Sequence, residues 1–341
     1  MTSIALSDDH TCIASGHITG HIHLYDLKKP NSPFRSVPPV TLSAVSSGRK
    51  EGHLEGSCIV SIGFIARRHT AIVSADEKGL AFFHSLGKLL FVEAPDILRI
   101  LGRYPDSSLS LKPPPRHLPS LVQNDGLEQG PNVRANRYTI LAMAPLPLGT
   151  PNPTDAYDLV ALLTPTKLVV VGLRPTPKTW FKFPRDPSEG TSRFGCKGVL
   201  AWFPSISRST SSKLPEASQA GKQKGKGWSS ESSVAPMLAF TWGTSLRLVR
   251  VSESKVMGPA KNVKSSGIEV EVGTIVYELV RKWIMEDDII SVQWLNVNVG
   301  SFTSIHGVKK IKILQSNMVT ANRRRHIHNV RSVRHHTVSF N

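Results

Sequence analysis

Three histidines, His17, His21 and His23, fall within one short stretch, "GHITGHIHLYD". Neutral imidazole is a common ligand of transition metals, so metal binding is the first chemistry to consider. On an extended chain His21 and His23 share a face, as a pair of ligands requires. Tetrahedral zinc needs two further donors, and no Cys or carboxylate pairs with these histidines at a ligand spacing. The competing reading is one strand of a β-structure, with Ile22 and Leu24 packed inward and both histidines facing out. A second cluster, His326, His328, His335 and His336, lies in a segment with no pattern that would build a scaffold around an ion. Neither cluster is assigned as a metal site, and no cofactor is expected.

Nucleophilic and phosphate chemistry leave equally little trace. The sequence contains no Gly-x-Ser-x-Gly, His-Glu-x-x-His or Walker A motif, and "GKQKGKG" (221–227) lacks the glycine-to-lysine order that cradles phosphate. Asp287 and Asp288 form a carboxylate pair, but adjacent acids at a strand start serve as caps or solvated charge. Asp76 and Glu77 occupy a turn. Trp202, Trp242 and Trp294 fall on expected strands and read as core rather than as platforms for stacking bases. No catalytic residue is assigned, and the chain is not read as an enzyme. Cys12, Cys58 and Cys196 are far apart and form no Cys-x-x-Cys pair, which suits reduced thiols in the cytoplasm.

What positions these residues is a repeating strand pattern. Ser3–Leu6, Cys12–Ser15 and His21–Asp26 are short apolar runs separated by turn residues, and Gly20 supplies the positive φ that a tight turn needs. The order returns in Cys58–Phe64, Thr70–Ser74, Leu80–His84 and Leu89–Val92. It returns again in Tyr138–Ala142, Leu159–Leu163 and Lys167–Val171, and once more in Gly198–Phe203, Met237–Phe240 and Ser245–Arg250. Ile289–Trp294 begins a fifth set. Sets of three or four short strands, repeated, predict the blades of a β-propeller, in which each sheet buries its faces against its neighbours. A β-sandwich is the structural alternative. One short helix is expected in 94–104, from the spacing of Ile97, Leu98 and Leu101.

The chain has 341 residues, 40% of them hydrophobic, with 25 glycines and 24 prolines, a balance that suits a core with many turns. Two inserts, 106–137 and 207–233, have the composition of disordered loops. No apolar run is long enough to span a bilayer, and the first residues are not a secretory signal. The net charge is +17, and eight Lys or Arg with no Asp or Glu lie in residues 300–341, leaving 17 − 8 = +9 for residues 1–299. Basicity concentrated in a tail and a loop reads as solvated charge; the alternative is a scaffold associated with nucleic acid. Salt-sensitive RNA binding that disappears with 300–341 would be a charge artefact, and binding that persists would favour the alternative. A hydrolase is a third reading, resting only on the presence of Asp and His.

The blade at "SIALSDDHTCIASGHITGHIHLYDL" resembles a WD40 repeat, with Tyr25-Asp26 in the place of the Trp-Asp dipeptide. More narrowly, "GRKEGHLEGSCIVSIGFIARRHTAIVSADEKGLAFFHSLGKLLFVEAPDILRILGRYP" and "TDAYDLVALLTPTKLVVVGLRPTP" resemble the vacuolar protein sorting-associated protein 8 family of fungi, over about residues 2–298. That family is a non-enzymatic subunit of the CORVET tethering complex on endosomes. The resemblance implies an N-terminal propeller, a helical solenoid and a C-terminal RING-type zinc domain. It further implies binding to the GTP form of the early-endosomal Rab GTPase and to other CORVET subunits, with a location in the cytoplasm, peripheral on endosome or vacuole membranes.

The fold expected is therefore all-β, an incomplete WD40-like propeller of four to five blades over 1–299 with a basic tail over 300–341. The chain opens directly on a blade strand, and after "SVQWLNVNV" it departs from the family pattern. That departure is expected to mark a truncated or mis-spliced gene model, with a non-native or disordered tail and neither solenoid nor RING. Four and a half blades would expose an unpaired strand edge, so marginal stability or aggregation is expected; a sharp cooperative melt of a purified monomer would contradict this.

Overall fold

A computed structural model of the chain describes residues 1–48, 51–86, 88–89, 92–93, 96–105, 139–186, 196–207, 233–259, 269–296, 299–304 and 307–312. The first sheet comprises β1 (Ser3–Leu6), β2 (Cys12–Gly16), β3 (Ile22–Asp26) and β4 (Arg35–Val37), followed by the short helix α1 (Leu42–Ser46). The second comprises β5 (Ile59–Ile65), β6 (Arg68–Asp76), β7 (Ala81–Ser85) and, beyond the small hairpin of β8 (Lys88–Leu89) and β9 (Val92–Glu93), β10 (Asp96–Leu101). A third contains β11 (Ala142–Pro145), β12 (Leu159–Leu163), β13 (Lys167–Gly172) and β14 (Lys178–Pro184).

The fourth begins with β15 (Leu200–Phe203). A two-residue ladder follows, β16 (Ile206–Ser207) with β17 (Ser233–Val234), before β18 (Met237–Trp242), β19 (Ser245–Pro259) and β20 (Glu269–Ile284) complete the sheet. A three-stranded sheet of β21 (Ile289–Asn296), β22 (Val299–Ser304) and β23 (Gly307–Lys312) comes last. All ladders within these sheets are antiparallel meanders.

Period-two alternation on the middle strands stacks the sheets. Val160 and Leu162 of β12 join Val73 and Phe83 in one core, whereas Leu159, Ala161 and Leu163 join Phe240 and Trp242 in the next. On β18 the same division sends Leu238 and Phe240 one way and Met237 and Ala239 the other. Because neighbouring sheets cover both faces, "LVALL" and "MLAFTW" are buried at every residue and read as continuous apolar runs. The first strands β1, β5, β11, β15 and β21 pack against one another in succession, a row of propeller blades that does not close into a ring among the described residues.

Tryptophans join successive blades. Trp202 Nε1 on β15 donates to the Ala144 carbonyl on β11 at 3.0 Å, and Trp294 Nε1 on β21 donates to Ala201 on β15 at 3.1 Å. Trp242 donates to the Thr164 carbonyl at 2.8 Å. The expected core role of these three rings is what the structure shows.

Several local expectations need correction. Residues 96–101 are the outer strand β10 and not a helix, because pairing with β7 satisfies their backbone and a bulge between Arg99 and Leu101 disguises the strand period. That strand, and not 89–92, completes the second blade. The opening strand of the third blade lies at Ala142–Pro145 rather than 138–142. The composition change at residue 299 does not end the ladders, since β22 and β23 continue to Lys312. The inserts expected to be disordered, at 106–137 and at 208–232, lie outside the described residues, as does 313–341. Ser207 and Ser233, counted with the second insert, are instead paired across β16 and β17.

Candidate interaction site

The histidines of the first blade lie where the strand reading placed them. Ile22 and Leu24 are fully buried, and His21 and His23 alternate with them at the half-exposed face. The rings of His17 and His23 meet edge to face at 4.8 Å, and those of His21 and His23 stack at 5.9 Å. Each ring is occupied by a hydroxyl: His17 by Ser15, His21 by Thr19 and His23 by Ser36. Partial burial, followed by the neighbouring imidazoles, holds His17 and His23 below the usual histidine range. Among the described residues no group of three or more His, Cys, Asp or Glu is placed to share an ion. His326, His328, His335 and His336 lie outside the described residues. Cys12, Cys58 and Cys196 are free thiols. Asp287 and Asp288 are half-buried in the turn between β20 and β21.

A constellation that the strand pattern did not reveal lies inside the second blade. Asp76 Oδ2 is 2.8 Å from His53 Nδ1, and His53 Nε2 is 2.7 Å from Ser74 Oγ. Carboxylate, imidazole and hydroxyl in that order form the relay that activates a serine nucleophile. Here Ser74 and Asp76 have no exposed surface and His53 only 2%, so no substrate atom can reach the hydroxyl. The relay also continues, because Ser74 Oγ is 2.7 Å from His84 Nε2.

Proton directions follow from the chain of partners. Asp76 accepts from His53 Nδ1–H, so Nε2 of that ring accepts the Ser74 hydroxyl, and Ser74 in turn accepts from His84 Nε2–H. His84 Nδ1 is then a buried lone pair without a partner. Protonating it would bury an unsatisfied N–H, and complete burial, aided by the nearby His53, depresses the His84 pKa to about 3. Asp76 Oδ1 accepts the backbone N–H groups of Lys78 and Leu80, closing the turn between β6 and β7. The network is an internal clasp that binds the segment before β5 to the two middle strands. Gly52-His53 before an apolar strand and the Ser and Asp of "IVSAD" are its sequence traces.

The surface site lies between the second and third blades. A cleft of about 340 Å³ is floored by Ile65, Pro145, Leu146 and Leu159 and rimmed by Arg67, Asp155, Asp158 and Arg174. Two rim residues have left-handed backbones without being glycine, Arg67 at φ 64° and Asp158 at φ 47°. Such conformations are uncommon and are retained where surroundings over-determine them. Around Arg67 the fixing contact is its backbone N–H, which donates to Asp8 of the first blade at 3.2 Å. The carboxylate of Asp158 takes Arg68 at 3.6 Å and the Arg174 Nε–H, while Arg67 approaches Asp155 at 3.7 Å. Asp155 also closes a capping box with Asn152 at the start of the 3-10 turn Pro153–Tyr157. None of these residues was singled out from the sequence.

A family model described as the Vps8 β-propeller matches residues 1–304. The chain belongs to the Vps8 β-propeller family. No curated protein matches the sequence. Among solved structures, the β-propeller domain of Cps50 (Swd1) from Myceliophteria thermophila aligns at 11% identity and a TM-score of 0.42, over 92% of this chain and 70% of that one. U3-55K aligns at 9% identity and a TM-score of 0.43, over 92% of this chain and 61% of that one. Among the described residues no helix is long and apolar enough to cross a membrane.

Proposed function

We propose that the chain is a non-enzymatic protein-interaction scaffold of vesicle tethering, acting in endosome-to-vacuole sorting within a CORVET-type complex. The observation that carries the reading is the Vps8 propeller match over residues 1–304 of 341. Its physical support is the division of labour within each blade. Middle strands are consumed by inter-blade packing, whereas the turns present fixed polar and apolar groups to solvent, which is how a scaffold offers binding surfaces. The most reactive-looking constellation, at His53, Ser74 and Asp76, is sealed.

The partners proposed are the GTP form of the early-endosomal Rab GTPase and the other tether subunits, and the location proposed is cytoplasmic, peripheral on endosome or vacuole membranes. Immobilised Rab GTPase loaded with GTP or with GDP tests this directly. The chain should be retained by the GTP form and not by the GDP form, and sister subunits should co-purify with it. Equal retention on both forms, or none on either, would overturn the reading.

A further inference from the structure

We propose that the cleft between the second and third blades binds an acidic peptide segment carrying an apolar side chain. The proposal rests on the reading of the chain as a protein-binding module and names the chemistry of one of its surfaces.

Charge accessibility decides the sign of the partner. Three guanidiniums, of Arg67, Arg68 and Arg174, face two carboxylates, of Asp155 and Asp158. The carboxylates are the less exposed partners: Asp158 is 7% exposed, and Asp155, at 27%, is engaged by Asn152 N–H and Arg67. The guanidiniums stand at the rim, with Arg67 53% and Arg174 44% exposed. What a ligand meets is thus positive charge with spare N–H donors, the arrangement that receives carboxylates. The acids of the adjoining first-blade turn are engaged locally, Asp8 by Arg67 N–H and Asp9 by Ser7 and Thr11.

The apolar half of the site is held in place. Leu148 lies on the wall of the cleft and is 45% exposed. Its loop is tied on both sides, by Leu146 N–H to the Leu159 carbonyl at 2.8 Å and by Thr150 N–H to the Ser205 carbonyl at 2.8 Å. An exposed leucine on a pinned loop beside proline-rich walls is a pre-formed seat, so little ordering is left for binding to supply. A volume of about 340 Å³ is at the small end of ligand pockets and suits one or two side chains of an extended segment.

The test uses the full chain and two fluorescein-labelled nonapeptides, one with a central leucine pair flanked by glutamates and one with lysines in their place. Anisotropy titration should show the glutamate peptide binding at least about tenfold more tightly, with the difference shrinking in high salt. Arg67→Asn should weaken it several-fold while keeping the fold, because Asn tolerates the left-handed backbone. Leu148→Ser should weaken it comparably. Equal binding of the two peptides, or variants that bind as the parent does, would overturn the proposal. So would a labelled oligouridylate that binds as tightly and ignores Leu148→Ser. The same preparations are scored for Rab retention. Retention of GTP-loaded Rab without peptide discrimination sinks the cleft alone, whereas discrimination without Rab retention sinks the tethering role alone.

Discussion

His53 Nδ1 stands 2.8 Å from Asp76 Oδ2 although 23 residues of chain separate them, and neither side chain is more than 2% exposed. The pair anchors a segment without regular structure to the middle of a blade. Removing either partner leaves the other polar group buried and unmatched. His53→Ala and Asp76→Ala should each cost about 3 kcal/mol in urea unfolding. The double variant should cost much less than the sum, and full additivity would show that the two residues act separately.

Stability should fall as the solution is acidified. His84 is held at about 3 in the folded chain against an ordinary value of 6.5, so the unfolded chain binds the extra proton between those limits. Each pH unit below about 6.5 should then cost about 1.4 kcal/mol until pH 3 is approached, and the contribution is fully present above 6.5. His17 and His23, also held low, act in the same direction. Melting temperatures at pH 7.5, 6 and 5 measure the slope, and His84→Gln should flatten it.

Gly20 should not tolerate a side chain. Its φ is 88°, and a Cβ there would lie 2.8 Å from the Leu54 carbonyl oxygen. Gly20→Ala should destabilise by about 1–3 kcal/mol in thermal or urea melts. Gly56→Ala is the informative comparison: φ is 70° but the space is open, so only the backbone strain of about 1 kcal/mol is expected.

The tryptophan links between blades should be separable from tryptophan bulk. Trp202→Phe and Trp294→Phe keep an apolar ring but abandon the carbonyls of Ala144 and Ala201, and each should cost about 1–2 kcal/mol. Trp242→Ala removes a ring that is 1% exposed between two blades and should cost about 3–5 kcal/mol. Unfolding of the three variants, monitored by circular dichroism, ranks them.

The inner strands of each blade were legible because burial on both faces turns them into apolar runs, as in Leu159–Leu163 and Lys167–Gly172. Outer strands were not. Arg35–Val37 is only three residues with a buried arginine, Lys178–Pro184 and Glu269–Ile284 mix exposed charge with half-buried rings, and Asp96–Leu101 adds a bulge that imitates helical spacing. The outward pair His21 and His23 followed from alternation with Ile22 and Leu24. The clasp of His53, Ser74, Asp76 and His84 did not, because it gathers polar residues from three segments whose proximity exists only after the blade has formed. The cleft rim carries left-handed backbones at Arg67, a residue type with no such preference, and at Asp158, where the preference is too weak to read from sequence.

The ladder between Ile206–Ser207 and Ser233–Val234 makes the chain leave and re-enter the fourth blade through one doorway. Chain added between those two strands has its ends already held together by the ladder, and the entropy of closing it grows slowly with length. This doorway is the natural place to graft a fluorescent reporter or an affinity handle, since the blade beneath it would register the cargo only as a longer string on the same knot.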